Sequence, residues 1–149
     1  MRYDEVINGA SKALIWSRLT DTFLFILRSE LCSHPLQWDV AGGHVDAGEN
    51  YKQALYREIV EEIGRDLSDA PIRLLSETTT EQPHFVMRNY VVCVPEEFEP
   101  KLNWEHVEFQ WKSLEEMPEP VTFNIDMLLS NDRAAVRLKE FQERCRKAG

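Results

Sequence analysis

The sequence predicts an α/β chain (α+β by some schemes) with helices covering a sheet, and three observations carry that reading. Short runs rich in β-branched and aromatic residues lie on both sides of one strongly periodic helix, so strands and helices interleave without strict alternation. Within that helix Leu55, Ile59 and Ile63 fall at i, i+4 and i+8, an apolar stripe that would seat it on a core. A second long helical pattern closes the chain between Phe123 and Arg146. At 149 residues, with 43% apolar and 29% charged residues, residues 1–149 suit a single domain with a hydrophobic core.

Taken in order, Lys12–Ser17 and Thr22–Arg28 are β-prone, and Arg18-Leu19-Thr20-Asp21 between them reads as a hairpin. Ser29–Gln37 is polar with a proline and reads as a loop; Trp38-Asp39-Val40 is a short extended piece feeding a glycine-rich turn. The helix follows, then a polar connection over Asp66–Pro71. Two longer strands are expected at Ile72–Thr80 and His84–Val94, joined by Glu81-Gln82-Pro83, although alternation in the first is poor. Pro95–Asn103 is acidic and proline-bounded, hence a loop, and Phe109–Lys112 reads as a last short strand. In the closing helix, Asn124 suits the N-cap, and the apolar pattern breaks near Ser130-Asn131-Asp132.

Composition excludes several classes. The longest apolar run, Phe23–Leu27, is far too short to cross a bilayer, and Met1-Arg2-Tyr3-Asp4 does not open like a secretory signal. The expectation is a cytoplasmic chain with no membrane partner. Cys32, Cys93 and Cys145 are scattered and lack a CxxC pair, so neither a disulfide framework nor a zinc site is indicated; Cys93 reads as a core residue. A net charge of −9 argues against a nucleic-acid polymer as partner, since such binding draws on Lys and Arg at phosphates. A small phosphorylated ligand approached through a divalent cation is compatible, because the ion supplies the missing positive charge.

The chemistry concentrates in Gly42–Gly64. Glu58, Glu61 and Glu62 share an arc of roughly 100° on the helix, an arrangement that costs helix stability unless something holds the charges together. Acidic helix faces are usually just solvated. Here, however, Gly43, Glu49, Arg57, Glu58, Glu61, Glu62 and Gly64 stand at the spacing G-x5-E-x7-R-E-U-x-E-E-x-G, which resembles the signature of the Nudix hydrolases. Two positions depart from the family pattern: Arg65 stands where an apolar residue is usual, and Ala41 stands where a proline commonly precedes the glycine pair.

The resemblance implies an α/β/α sandwich with a mixed central sheet, and hydrolysis of the diphosphate bond of a nucleoside diphosphate derivative. It further implies Mg2+, or Mn2+, held by Glu58, Glu61 and Glu62 and by the carbonyl of Gly42. In the same motif Gly43, Glu49, Arg57 and Gly64 are structural, with Arg57 pointing away from the acidic face to pair with Glu49. Magnesium suits such a set because it prefers oxygen ligands. The run Glu105-His106-Val107-Glu108-Phe109-Gln110-Trp111 resembles an E-H-x-E-x-x-W stretch of the family, which makes Glu105 the first choice of general base and Glu108 the second; Glu61 completes the catalytic set. His106 reads as a loop or packing residue.

Substrate contacts are assigned to Arg28, Arg88 and Tyr90, on predicted strands, and to Asn124, whose place after the last strand matches an asparagine that reads the base in some members. The expected partner is a small phosphorylated nucleotide, and a homodimer is compatible with the chain. Two alternatives remain. Isopentenyl diphosphate isomerases share the scaffold, and Cys32-Ser33-His34-Pro35 resembles their Cys-Ser-His-Pro run; the intact acidic box favours hydrolysis. A non-catalytic nucleotide-binding module is the other, and it is disfavoured because such relatives typically lose box glutamates.

Overall fold

The computed structural model describes residues 7–81 and 84–148. Met1-Arg2-Tyr3-Asp4 and the Gln82-Pro83 turn lie outside the described residues. Ten elements follow one another: β1 (Gly9–Ser17), β2 (Thr22–Arg28), β3 (Trp38–Asp39), β4 (Ala41–His44), α1 (Tyr51–Ile63), β5 (Ile72–Glu81), β6 (His84–Val94), β7 (His106–Lys112), α2 (Phe123–Leu129) and α3 (Asp132–Ala148).

All seven strands form one mixed sheet. β1 is its axis, paired parallel to β6 along its whole length, and β5 pairs antiparallel to β6 on the outside. On its other edge β1 holds β2 only at Trp16↔Phe23 and Ser17↔Thr22. Beyond that the two strands fork, and the chain threads the fork: β3 pairs with β2 at Ile26↔Asp39, and after Val40 β4 pairs with β1 from Ala10↔His44 to Ala13↔Ala41. The expected hairpin is present. The glycine-rich stretch is a strand rather than a turn, and Ala41 is buried opposite Ala13.

Alternation along the strands builds two cores. Ala13, Ile15, Leu24, Ile26, Tyr90 and Val92 face α1, whose Leu55, Ile59 and Ile63 are fully buried against them. Leu14, Trp16, Phe23, Phe25, Val91 and Cys93 face the other way, under Ile125 and Leu128 of α2 and Leu138, Phe141 and Cys145 of α3. Period-2 strands between period-3.6 helices make the three-layer α/β/α sandwich. Cys93 is the core residue expected, its thiol pushed up to about 12 by burial and by neighbouring Cys145. Among the described residues no helix is long and apolar enough to cross a membrane.

Three boundaries differ from the sequence reading. β1 begins at Gly9 and β7 at His106, each three residues earlier than expected, because pairing with β6 and with β2 extends both strands past their apolar runs. The closing helix is two helices, parted where the apolar pattern breaks. Asn124 is not an N-cap: Thr122 holds that place in α2 without a side-chain cap, and the capping asparagine is Asn131, which accepts from the Ala134 N–H at 3.0 Å at the start of α3.

Candidate active site

α1 is built to carry charge on one side. Asn50 and Gln53 form a capping box at its start, satisfying the orphan N–H groups there, and Gly64 ends it in the left-handed conformation. Strand β4 passes close to the acidic face: a Cβ at Gly43 would come within 2.6 Å of the Glu58 carboxyl carbon, so any larger residue there would displace that carboxylate. Gly42 has φ +138°, and its N–H donates to Glu62 Oε1 at 2.7 Å.

Glu49 accepts from Arg57 Nε at 2.7 Å, the loop-to-helix tie the motif implies. Arg57 does not turn from the acidic face, however: it also bonds Glu58 at 2.9 Å and Glu61 at 3.2 Å, because i+1 and i+4 lie within reach of a long guanidinium. Arg65, the departure after Gly64, packs its guanidinium over Phe98 at 4.1 Å. A flat cation thus covers an aromatic surface in place of an apolar side chain.

The box glutamates open onto a cavity of about 650 Å³ lined by Glu58, Glu61 and Glu62, by Glu105, and also by Lys12, Arg28 and Asp39. Asn103 brings Glu105 there: its amide donates to the Glu61 carbonyl at 3.0 Å, and its side-chain oxygen accepts from the Glu105 N–H at 3.0 Å, pinning the approach to β7 onto the end of α1. Electrostatics record the crowding. Glu58 is raised by burial first, lowered by Arg57, and raised again by Glu61 and Glu105. Burial pushes Glu62 up to about 8; Lys12 and the Gly42 N–H oppose the shift, and Glu58 and Glu105 add to it.

In donor type and in charge the set fits a hard divalent cation, whose positive charge would relieve this repulsion. Among the described residues no three metal-binding groups are already gathered around one point. Glu58 and Glu61 are tied to Arg57, and Glu62 to the Gly42 N–H, and these are the bonds that a cation held by the three carboxylates would have to replace.

Of the remaining predicted site residues, Arg28 and Asn124 line the cavity, and Glu108, Arg88 and Tyr90 do not. Glu108 is exposed on β7. Arg88 and Tyr90 alternate with Met87 and Asn89 and so face α1: Arg88 bonds Glu77 at 2.7 Å and stacks on Tyr51, while Tyr90 is buried in the core. Asn124 exchanges two hydrogen bonds with Asn89, at 2.8 and 3.1 Å.

Sequence reasoning missed Lys12 and Asp39, an ion pair at 2.8 Å in the fork. A lone lysine in the β-prone run ASKALIWS and an aspartate between Trp38 and Val40 were the available signals. It also missed the lip, where Phe85, Met87, Phe123 and Trp104 border the cavity; Phe123 is 75% and Trp104 66% exposed. His106 is buried, with neither ring nitrogen hydrogen-bonded to any described group. Its Nδ1 lies 3.8 Å from Glu62, yet burial and then Lys12 depress it to about 4, so the ring is neutral and the contact is no ion pair.

A cleft lined by carboxylates and cations, with exposed aromatic rings at its border, suits a phosphorylated small molecule. Residues 11–131 match the NUDIX domain, and the chain belongs to that family. Its general activity is that of a hydrolase cleaving a diphosphate bond, in a family that is typically magnesium-dependent.

Among solved structures, the chain is 26% identical to a MutT NUDIX hydrolase from Burkholderia pseudomallei, over 83% of this chain and 95% of that one, with a TM-score of 0.68. The NUDIX domain of Shewanella oneidensis NrtR, complexed with ADP ribose, is 17% identical over 90% of both chains, with a TM-score of 0.69. A C. elegans Ap4A hydrolase is 19% identical over 95% of this chain and 99% of that one, with a TM-score of 0.62. The last two speak for the fold alone. Among curated proteins, none matches the sequence.

Proposed function

We propose that the chain hydrolyses the diphosphate linkage of a small nucleoside diphosphate derivative in the cytoplasm, with Glu58, Glu61, Glu62 and the Gly42 carbonyl holding magnesium or manganese and Glu105 as general base. The observation that carries this reading is the convergence of Glu105, 43 positions after Glu62 in the chain, on the cavity lined by the three box carboxylates. When bound, magnesium supplies charge neutralisation for the diphosphate and lowers the pKa of a coordinated water. Glu105 accepts the proton from the attacking water, and Asn103 keeps its backbone in place. Arg57 holds the loop at Glu49 against the helix while its other donors restrain Glu58 and Glu61. The apolar lip of Phe85, Met87 and Phe123 suits the flat face of a nucleobase.

Hydrolysis should be screened with magnesium over canonical and oxidised nucleoside triphosphates, nucleotide sugars, ADP-ribose, dinucleoside polyphosphates and capped RNA. The expected result is turnover of a small substrate, steep in magnesium and shallow in monovalent salt, because a short ligand releases few counterions. Preference for capped RNA, with affinity collapsing between about 50 and 200 mM salt, would overturn it. Binding without turnover would favour the non-catalytic module.

One observation favours testing the isomerase reading as well. Cys32 lines the same cavity, its thiol 3.6 Å from the Glu105 carbonyl oxygen. For a hydrolase, Cys32→Ala keeps its rate; for an isomerase it does not. Sedimentation tests the homodimer.

A further inference from the structure

In the same cavity as the box glutamates, two cations share one carboxylate. Lys12 Nζ lies 2.8 Å from Asp39 Oδ2, and an Arg28 nitrogen lies 3.3 Å from the same oxygen. Asp39 Oδ1 accepts from the Val40 N–H at 2.8 Å and from the Thr122 hydroxyl at 3.2 Å. One negative charge against two positive ones leaves a surplus cation inside a chain whose net charge is −9.

The donors show where that surplus is available. Arg28 spends its other nitrogens on Ser33, Nε on the carbonyl at 2.7 Å and Nη2 on the hydroxyl at 3.1 Å, and so braces the loop that follows β2. An ammonium has three donors. Lys12 gives one to Asp39 and a second to the Val40 carbonyl at 3.4 Å, and it lines the cavity with no third partner among the described residues.

Its position is fixed from both sides. Its backbone pairs with Gly42 in β4, and its head is held by Asp39 in β3, so the cation is anchored at the fork before any ligand arrives. A compact point charge on a strand suits one phosphate oxygen where a guanidinium fork would need two acceptors.

We infer that Lys12 is a substrate-anchoring residue that takes a non-bridging oxygen of the diphosphate beside the box carboxylates, at the point where β1 pairs with Gly42. This rests on the reading of the site as a nucleotide diphosphohydrolase. No position of the Nudix signature includes Lys12, and the motif alone would never point to it.

The test compares wild type with Lys12→Gln on whichever nucleotide wild type hydrolyses, reading KM, kcat and inhibition by imidodiphosphate, with a melt for each protein. KM and the inhibition constant should each rise about tenfold or more, with a smaller change in kcat. Values within about twofold of wild type in a folded variant would overturn the inference. Should Lys12→Gln fail to fold, Lys12→Gln/Asp39→Asn leaves a neutral hydrogen-bonded pair and faces the same criteria.

Wild type supplies an independent reading: with magnesium present, the 15N signal of the Lys12 ammonium should shift on adding imidodiphosphate. A signal that stays put at saturation, or no binding at all, refutes the anchor. Wild type that binds imidodiphosphate with that shift yet hydrolyses nothing would refute the hydrolase reading and retain the anchor.

Discussion

The two walls of the cavity are made in opposite ways. The acidic wall is one helix, its three glutamates within five consecutive residues, positioned by the same 3.6-residue period that buries Leu55, Ile59 and Ile63. The basic wall takes Lys12 from β1, Arg28 from β2, Asp39 from β3 and Thr122 from the edge of α2, and none of these means anything until the sheet forks. Charge generated locally is legible in a sequence and crowded in the fold. Charge assembled by topology is hidden in a sequence and satisfied in the fold. The first set is therefore expected to give up little stability when one of its carboxylates is neutralised, and the second a great deal when Asp39 is removed.

Asp39→Ala is the sharpest way to break that contrast. It strands Lys12 and Arg28 in a buried place, and losing the centre of such a network costs about 3–5 kcal/mol. Burial alone would raise the Asp39 carboxyl, but Lys12, the Val40 N–H and Arg28 outweigh it and hold it below its ordinary 3.8. A depressed acid contributes stability above its unfolded value and loses it as pH falls through the folded one. Lys12, raised above 10.5, contributes below that value and loses it as pH rises through its folded one. Melting curves should therefore show a deficit in Asp39→Ala that is flat from about pH 5 to 9. A deficit that fades within that window would mean that the pair is not charged.

Glu62→Gln tests the other wall and should reverse the pattern. Loss of one ligand charge is expected to lower turnover about 100-fold, and near-wild-type rates at saturating magnesium would remove Glu62 from the metal site. Stability should not follow. The carboxyl is raised to about 8, so in the metal-free protein its ionisation opposes folding increasingly as pH climbs from 4.5 through that value. The neutral variant escapes this, and its melting temperature at pH 8 should equal or exceed that of wild type without metal.

Arg57→Ala probes the cation that ties the acidic helix to the loop before it. It bonds Glu49, Glu58 and Glu61 and is partly buried, so the variant should lose about 2 kcal/mol through unpaired, mutually repelling carboxylates, and about tenfold in rate through the loosened helix and loop. A large rate loss with unchanged melting would show that Arg57 acts on the substrate directly.

The same division explains what the sequence disclosed. The α/β class and the box helix could be read because each rests on a short-range period, and Gly43 from its fixed offset in the family signature, whereas the three-layer sandwich followed from the resemblance alone. Glu105 could be placed only through family resemblance, since its approach depends on Asn103 reaching the end of α1. Arg88 and Tyr90 were chosen as strand residues without knowing which face of β6 looks into the cavity, and parity placed them under α1. The fork itself, in which β3 and β4 serve different strands, leaves no periodic trace in six residues.

The smallest expected effect belongs to Asn124, which stands between the two walls at the lip. Its amide donates one N–H to Asn89 and accepts one in return, and Asn89 is itself 1% exposed and bonded to Ser76, so Asn124 ties the first turn of α2 to β6 and keeps one N–H for the cavity. Asn124→Ala leaves the Asn89 carbonyl oxygen without its described donor. Because the cavity is open, water can replace the lost partner, and the cost should be about 1 kcal/mol. If the amide only holds the helix, the ratio of kcat/KM between purine and pyrimidine substrates should change by less than the 1–3 kcal/mol, roughly, that one bidentate base contact is worth. A collapse of base preference in a variant that melts like wild type would instead show that Asn124 leaves Asn89 to read the base, and would move it from the scaffold into the recognition site.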